Sequence, residues 1–248
     1  MRQNLAGFAR SALTAASARE TGATRAAPVA FDETAPGVVA DVCVRGALGF
    51  VCLLHRRKDG LVAEELYFSA REDDGPWEAA EHLSGGVLGF DPTDPRSAAA
   101  PLDGRALIPF GDSETCLFTG RQQADDGYEL LRFFTFLVAE EADHLVVGGG
   151  SSGTVSVRKP LVSRIALLAV LPGERLTVRA AAREGSGAGF PDAAYELTGA
   201  EPGPAHGAVP PDFPPVGEQR CRPVPPPSSG PDEPGDVPGR WGLRGAPR

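Results

Sequence analysis

Glu174–Ala181 reads ERLTVRAA and Leu130–Val138 reads LLRFFTFLV, and these two stretches decide the fold class. In the first, Leu176, Val178 and Ala180 fall on one side of an extended chain, with Arg175, Thr177 and Arg179 on the other. That is the period of a strand with one buried and one wet face. The second is apolar on both sides apart from Arg132 and Thr135, which predicts a strand lying centrally in a sheet. Gly46–Leu54 behaves likewise.

Moving outward, four Asp-Gly dipeptides punctuate the chain: Asp59-Gly60, Asp74-Gly75, Asp103-Gly104 and Asp126-Gly127. Asp tolerates, and Gly readily adopts, the positive φ of tight turns. Two of them separate apolar runs of strand length. Ala47–His55 and Leu61–Ala70 flank Arg56–Gly60, and Glu114–Gly120 and Tyr128–Ala139 flank Arg121–Gly127. Both pairs read as β-hairpins. Further strands are expected at Val38–Val44, Val87–Phe90, His144–Val147 and Thr154–Arg158. Ala106–Phe110 belongs on an edge or at a bulge, because Pro109 cannot donate a ladder hydrogen bond. Leu161–Leu171 fits both periods in part; Pro172-Gly173 turning into the alternating segment favours a strand over a helix from Pro160. One short helix is expected from Pro76 through Trp77–Leu83, stopped by Gly85-Gly86, with Trp77 anchoring the core. About ten short strands with frequent turns predict an all-β antiparallel sandwich or barrel-like domain. No period of 20–50 residues repeats.

Composition sets the boundaries. Fourteen of the 24 prolines lie between Pro202 and Pro247, in a stretch too poor in large apolar residues to offset the entropy of ordering its backbone. The expected organisation is therefore a flexible basic segment at 1–30, a globular domain at 31–200 and a disordered proline-rich tail at 201–248. The N-terminal segment carries a net +3, the central part −11 and the tail −1. An acidic body repels phosphate backbones, so nucleic acid is not an expected partner. Only Lys58 and Lys159 stand against 22 arginines, a bias typical of a GC-rich bacterial genome.

The N-terminus has no secretory apolar core, and Ala47–Leu54 is too short to span a bilayer, so the expected location is the cytoplasm. Leu5, Phe8, Ala12 and Ala16 recur at helical spacing beside arginines. A basic amphipathic helix touching anionic lipid is the alternative to a frayed terminus. Cys43, Cys52, Cys116 and Cys221 form no C-x-x-C pair. Cys43 and Cys52 sit among valines and leucines and are read as buried thiols rather than a disulfide.

The chemical motifs are sparse. Gly149–Gly153 (GGSSG) formally matches G-x-S-x-G, which would make Ser151 a hydrolase nucleophile with Asp192 and His206 as partners. The β-branched TVSVRKP that follows offers no helix to close a nucleophile elbow. Ser156-Val157-Arg158-Lys159 has S-x-x-K spacing, but residues three apart on a strand point to opposite faces. The glycine run lacks the G-K-[ST] of a phosphate cradle. Glu141, Asp143 and His144 form a candidate cation site, weighed against a solvated turn. Asp91-Pro92-Thr93-Asp94-Pro95 reads as consecutive turns. His55 and His82 stand isolated in sequence. In the tail, Arg220, Pro223 and Pro226 fit R-x-x-P-x-x-P, which docks in aromatic grooves as a polyproline II helix and marks a possible protein partner. No cofactor is expected. The function read from this sequence is a non-enzymatic binding or interaction module, with the Ser151 hydrolase and lipid association through residues 1–27 as alternatives.

Overall fold

The computed structural model describes residues 4–19, 30–31, 35, 37–121, 127–149, 155–182 and 194–201. Eleven strands and two helices occur in the order α1 (Leu5–Arg19), β1 (Val38–Arg45), β2 (Leu48–Arg56), β3 (Val62–Ala70), β4 (Glu81–Val87), α2 (Pro95–Leu102), β5 (Leu107–Phe118), β6 (Tyr128–Val138), β7 (Ala142–Gly149), β8 (Val155–Pro160), β9 (Ile165–Val170), β10 (Arg175–Ala182) and β11 (Tyr195–Thr198). They build three antiparallel sheets with orders β1-β2-β3-β4, β5-β6-β9 and β11-β10-β7-β8. The all-β, sandwich-like expectation holds.

The middle sheet explains LLRFFTFLV. One face of β6 and β9, with Leu131, Phe133, Ile165 and Leu167, packs on Phe50, Cys52, Leu54 and Leu66 of the first sheet. The other face, with Phe134, Phe136, Leu168 and Val170, packs on Leu145, Leu176, Val178 and Leu197 of the third. A strand with apolar contacts on both sides loses the alternation of a half-wet strand. Every residue of β9 is buried, so Leu161–Leu171 does contain a strand.

Both predicted hairpins form. β2 pairs with β3 from Leu48↔Ala70 to Arg56↔Val62, turning where Gly60 has φ +83°. β5 pairs with β6 from Leu107↔Val138 to Phe118↔Tyr128, with a register shift between Pro109 and Gly111. Pro109 thus sits at a bulge and on an edge strand together. The two pieces expected at Ala106–Phe110 and Glu114–Gly120 are one strand.

Several local expectations fail, among them the strand at Val87–Phe90, of which only Val87 lies in a strand. The helix expected over Trp77–Leu83 does not form: Glu81–Val87 is β4, paired with β3 from Phe68↔Glu81 to Ala63↔Val87. Cross-strand pairing to an otherwise open edge of β3 overrides the helix propensity of that stretch. The second helix lies instead at Pro95–Leu102. Asp94 caps it, accepting from the backbone N–H of Arg96 at 3.1 Å and of Ser97 at 3.3 Å, and Pro95 fits its first turn. Of the consecutive turns expected there, the one at Asp91–Thr93 is present, held by Thr93 N–H donating to Asp91 Oδ1 at 2.9 Å.

Residues 5–19 are not a loose segment. Ala9 and Leu13 of α1 are fully buried against Val51, Leu53, Tyr67 and Trp77 on the outer face of the first sheet. The close approach requires Gly49, where a Cβ would fall 2.6 Å from Leu13 Cδ2 and 2.8 Å from the Trp77 ring. Leu5, Phe8 and Ala12 contribute to the same contact, so the apolar face available for lipid is already used. No helix among the described residues is long and apolar enough to cross a membrane.

One polar seam crosses the interior. Asp41 is fully buried; its Oδ2 accepts from the Leu167 N–H at 2.6 Å and lies 2.9 Å from Lys159 Nζ. Lys159 also donates to the Val42 carbonyl at 2.9 Å, and Ser163 Oγ donates to the Ala40 carbonyl at 2.7 Å. Burial pushes the Asp41 carboxyl above its ordinary value while Lys159 and the Leu167 N–H oppose it. Burial alone would lower Lys159, but the Asp41 carboxylate holds it above the usual lysine range. The seam bonds β1 to the end of β8 and to β9.

Candidate functional site

Two polar constellations stand on the outer face of the first sheet, where α1 covers only part of it. The first joins three strands. In the β2–β3 register Leu53 lies opposite Glu65 and His55 opposite Ala63, so His55 and Glu65 are diagonal neighbours on one face. Across β3–β4, Tyr67 lies opposite His82 and Glu65 opposite Gly85. The Glu65 carboxylate therefore sits between two imidazoles, Oε1 at 3.0 Å from His55 Nε2 and Oε2 at 2.6 Å from His82 Nε2. A Cβ at residue 85 would collide with Oε2, so Gly85 makes room for the carboxylate. The Tyr67 ring meets the His82 ring edge-on at 5.3 Å. A carboxylate only accepts, so each Nε2 carries the shared proton. The trio holds both imidazoles in fixed orientations. Among the described residues no serine, threonine or cysteine hydrogen-bonds either ring.

Beside it, Glu64 points to the opposite face, into the interior. Its Oε2 is shielded from water without a hydrogen-bond partner among the described residues. Burial raises its carboxyl above the ordinary glutamate range, and Glu65 adds to the effect.

The second constellation is a cleft of about 470 Å³ between α1 and the segment leading from β3 towards β4, lined by Arg10, Ser11, Thr14, Ser17 and by residues 71 and 74–77. Positions 10, 14 and 17 share one side of a helix at 100° per residue, the flank beside the face that packs on the sheet. Trp77 is buried beneath the cleft floor and donates from Nε1 to Ser17 Oγ at 3.2 Å. The Arg71 guanidinium stacks over the Trp77 ring at 4.7 Å, with its Nε shielded and unpartnered among the described residues. Arg10 Nε donates to the Trp77 carbonyl at 2.7 Å. Neither arginine forms an ion pair among the described residues.

The residues singled out in the sequence are elsewhere. Ser151, Asp192 and His206 lie outside the described residues, as do Arg220, Pro223, Pro226 and all of the tail beyond Glu201. Asp143 and His144 are on β7, with Asp143 Oδ2 3.6 Å from His144 Nδ1. Arg158 of β8 stands 3.2 Å from His144 Nδ1 and 3.7 Å from Asp143 Oδ2, so a guanidinium occupies the place a cation would need. Glu141 is in the preceding turn. Among the described residues no three His, Cys, Asp or Glu side chains are arranged to hold a metal ion. Ser156 and Lys159 are both on β8, and Lys159 is committed to Asp41. No protein-family model, no curated protein and no solved structure matches this chain.

Sequence reading missed both constellations. Counting back from the Asp59-Gly60 turn could have paired His55 with Glu65. His82 was out of reach, because its stretch read as helix rather than as β4. The arginines of the cleft carried no spacing signal.

Proposed function

We propose that the protein is a non-enzymatic binding module that receives a small ligand in the cleft between α1 and residues 71–77. The observation that carries this reading is the Arg71 guanidinium, held over the Trp77 ring with no acidic partner among the described residues. A cation fixed on a ring at the edge of a cleft without an acidic partner is a poor structural element and a good recognition element. Small-ligand sites fall at roughly 300–1,000 Å³ and fix the ligand with convergent polar groups; this cleft, of about 470 Å³, sets six polar side chains around Trp77. The cytoplasm is the compartment we assign, since Cys43, Cys52 and the exposed Cys116 are free thiols of the kind reducing conditions preserve.

The test is a thermal-shift screen of neutral, cationic and anionic metabolites on the full chain and on Thr14→Trp. Thr14 is exposed, so the tryptophan fills the cleft without entering the core. Stabilising compounds are expected for the wild type and absent for the variant. Hits that persist in Thr14→Trp would place the ligand elsewhere, and covalent labelling of Ser151 by a fluorophosphonate would replace the reading with a hydrolase.

A further inference from the structure

We infer that the ligand of the cleft is a small phosphorylated polyol, its phosphate held by Arg10 and Arg71 and its hydroxyl groups facing the serine and threonine side of α1. This rests on the cleft being the ligand site, and it adds the chemistry.

The cationic half comes from the two arginines. Arg10 is anchored through Nε to the Trp77 carbonyl, which leaves its terminal nitrogens to a ligand. Arg71 is fixed by stacking on the ring of the same residue. Two planar forks tied to one tryptophan suit the oxygens of a single phosphate. A longer polyanion is disfavoured, because the body from residue 31 to 200 carries a net −11 and repels charge beyond what two arginines neutralise.

The hydroxyl half follows from where each α1 side chain spends its own proton. Ser11 Oγ donates to the Gly7 carbonyl at 3.0 Å and Thr14 Oγ1 to the Arg10 carbonyl at 3.1 Å. Both therefore present lone pairs to the cleft and accept from ligand hydroxyls. Ser17 Oγ accepts from Trp77 Nε1 and keeps a proton to donate. Asp74 lines the same cleft and, as a like charge, weakens the grip on phosphate. The volume of about 470 Å³ exceeds what bare phosphate fills and suits a phosphate with a small carbon skeleton.

The experiment uses the full chain with Trp241→Phe, leaving Trp77 as the one tryptophan and its fluorescence as the reporter. Glucose 6-phosphate, inorganic phosphate and glucose are titrated separately. Saturable change with glucose 6-phosphate at least tenfold tighter than with inorganic phosphate is expected, and none with glucose. Arg71→Gln and Arg10→Gln should each weaken binding tenfold or more, while Asp74→Asn, an exposed change that leaves the fold intact, should tighten it. Equal affinity for inorganic phosphate and the sugar phosphate, weaker binding by Asp74→Asn, or no response to any of the three would overturn the inference. If these titrations fail while the screen yields neutral or cationic hits lost in Thr14→Trp, the cleft remains a site and only its chemistry is wrong. If hits survive Thr14→Trp, the site reading itself fails.

Discussion

The two faces of the first sheet use the same strands for opposite ends. On β3, Val62, Leu66 and Phe68 turn inward and meet the middle sheet, with Glu64 the polar residue among them on that face of the strand. Ala63, Glu65, Tyr67 and Ser69 turn outward, where one helix has to cover four strands. α1 seals Val51, Leu53 and Tyr67 and stops short of the rest. The Glu65 trio and the Arg71 cleft occupy what is left. Sheet-on-sheet packing admits polar groups only where they pair with one another, as Asp41 and Lys159 do, whereas a helix on a wider sheet leaves margins where charged groups reach water and ligand.

The comparison can be broken most forcefully at the inner seam. Lys159→Met leaves Asp41 buried without its cation and should cost about 3–5 kcal/mol in urea denaturation. The double variant Asp41→Leu/Lys159→Met should regain most of that loss. If the single change costs no more than the double, the seam does not bind β1 to β9 as described. The pair also sets an alkaline limit. Lys159 titrates above its ordinary 10.5 in the folded chain, so its contribution is complete below that value and lost as pH rises through the raised one. The double variant should lack this alkaline decline.

Next in size is the outer face. Leu13→Ala should cost about 2–3 kcal/mol and raise hydrogen exchange in residues 5–19 and in the adjoining faces of β1 and β2, leaving the middle sheet protected. Uniform loss of protection would mean that α1 and the sandwich unfold as one unit.

The smallest effect sharpens the inner exception. Glu64→Gln should stabilise the protein by about 1 kcal/mol at pH 7, since it removes a shielded carboxylate. A carboxyl raised above 4.5 favours the folded state while protonated and loses that advantage as pH rises through its folded value. The gain from Glu64→Gln should therefore vanish near pH 4. A gain independent of pH would show that packing, not charge, limits this position.

How far a reader of the sequence could go follows from the range of each signal. Side-chain alternation at Arg175–Ala182, two-sided apolarity at Leu130–Val138 and the Asp59-Gly60 turn are local properties, and they were enough to set all-β character and two hairpins. Asp94-Pro95 read as a turn, and the helix that starts there was missed. His82 shows the limit. Its neighbourhood favours a helix by composition, and only the open edge of β3 makes it a strand.

The chain by itself determined its strand period, its turns and its acidic body, because steric preference and hydrophobic alternation act over a few residues. Tertiary structure alone decided that α1 docks on Gly49, that Asp41 meets Lys159 118 positions away, and that Arg10 and Arg71 share one tryptophan. Those contacts depend on which faces stack and in what register, and no short window of sequence contains that choice.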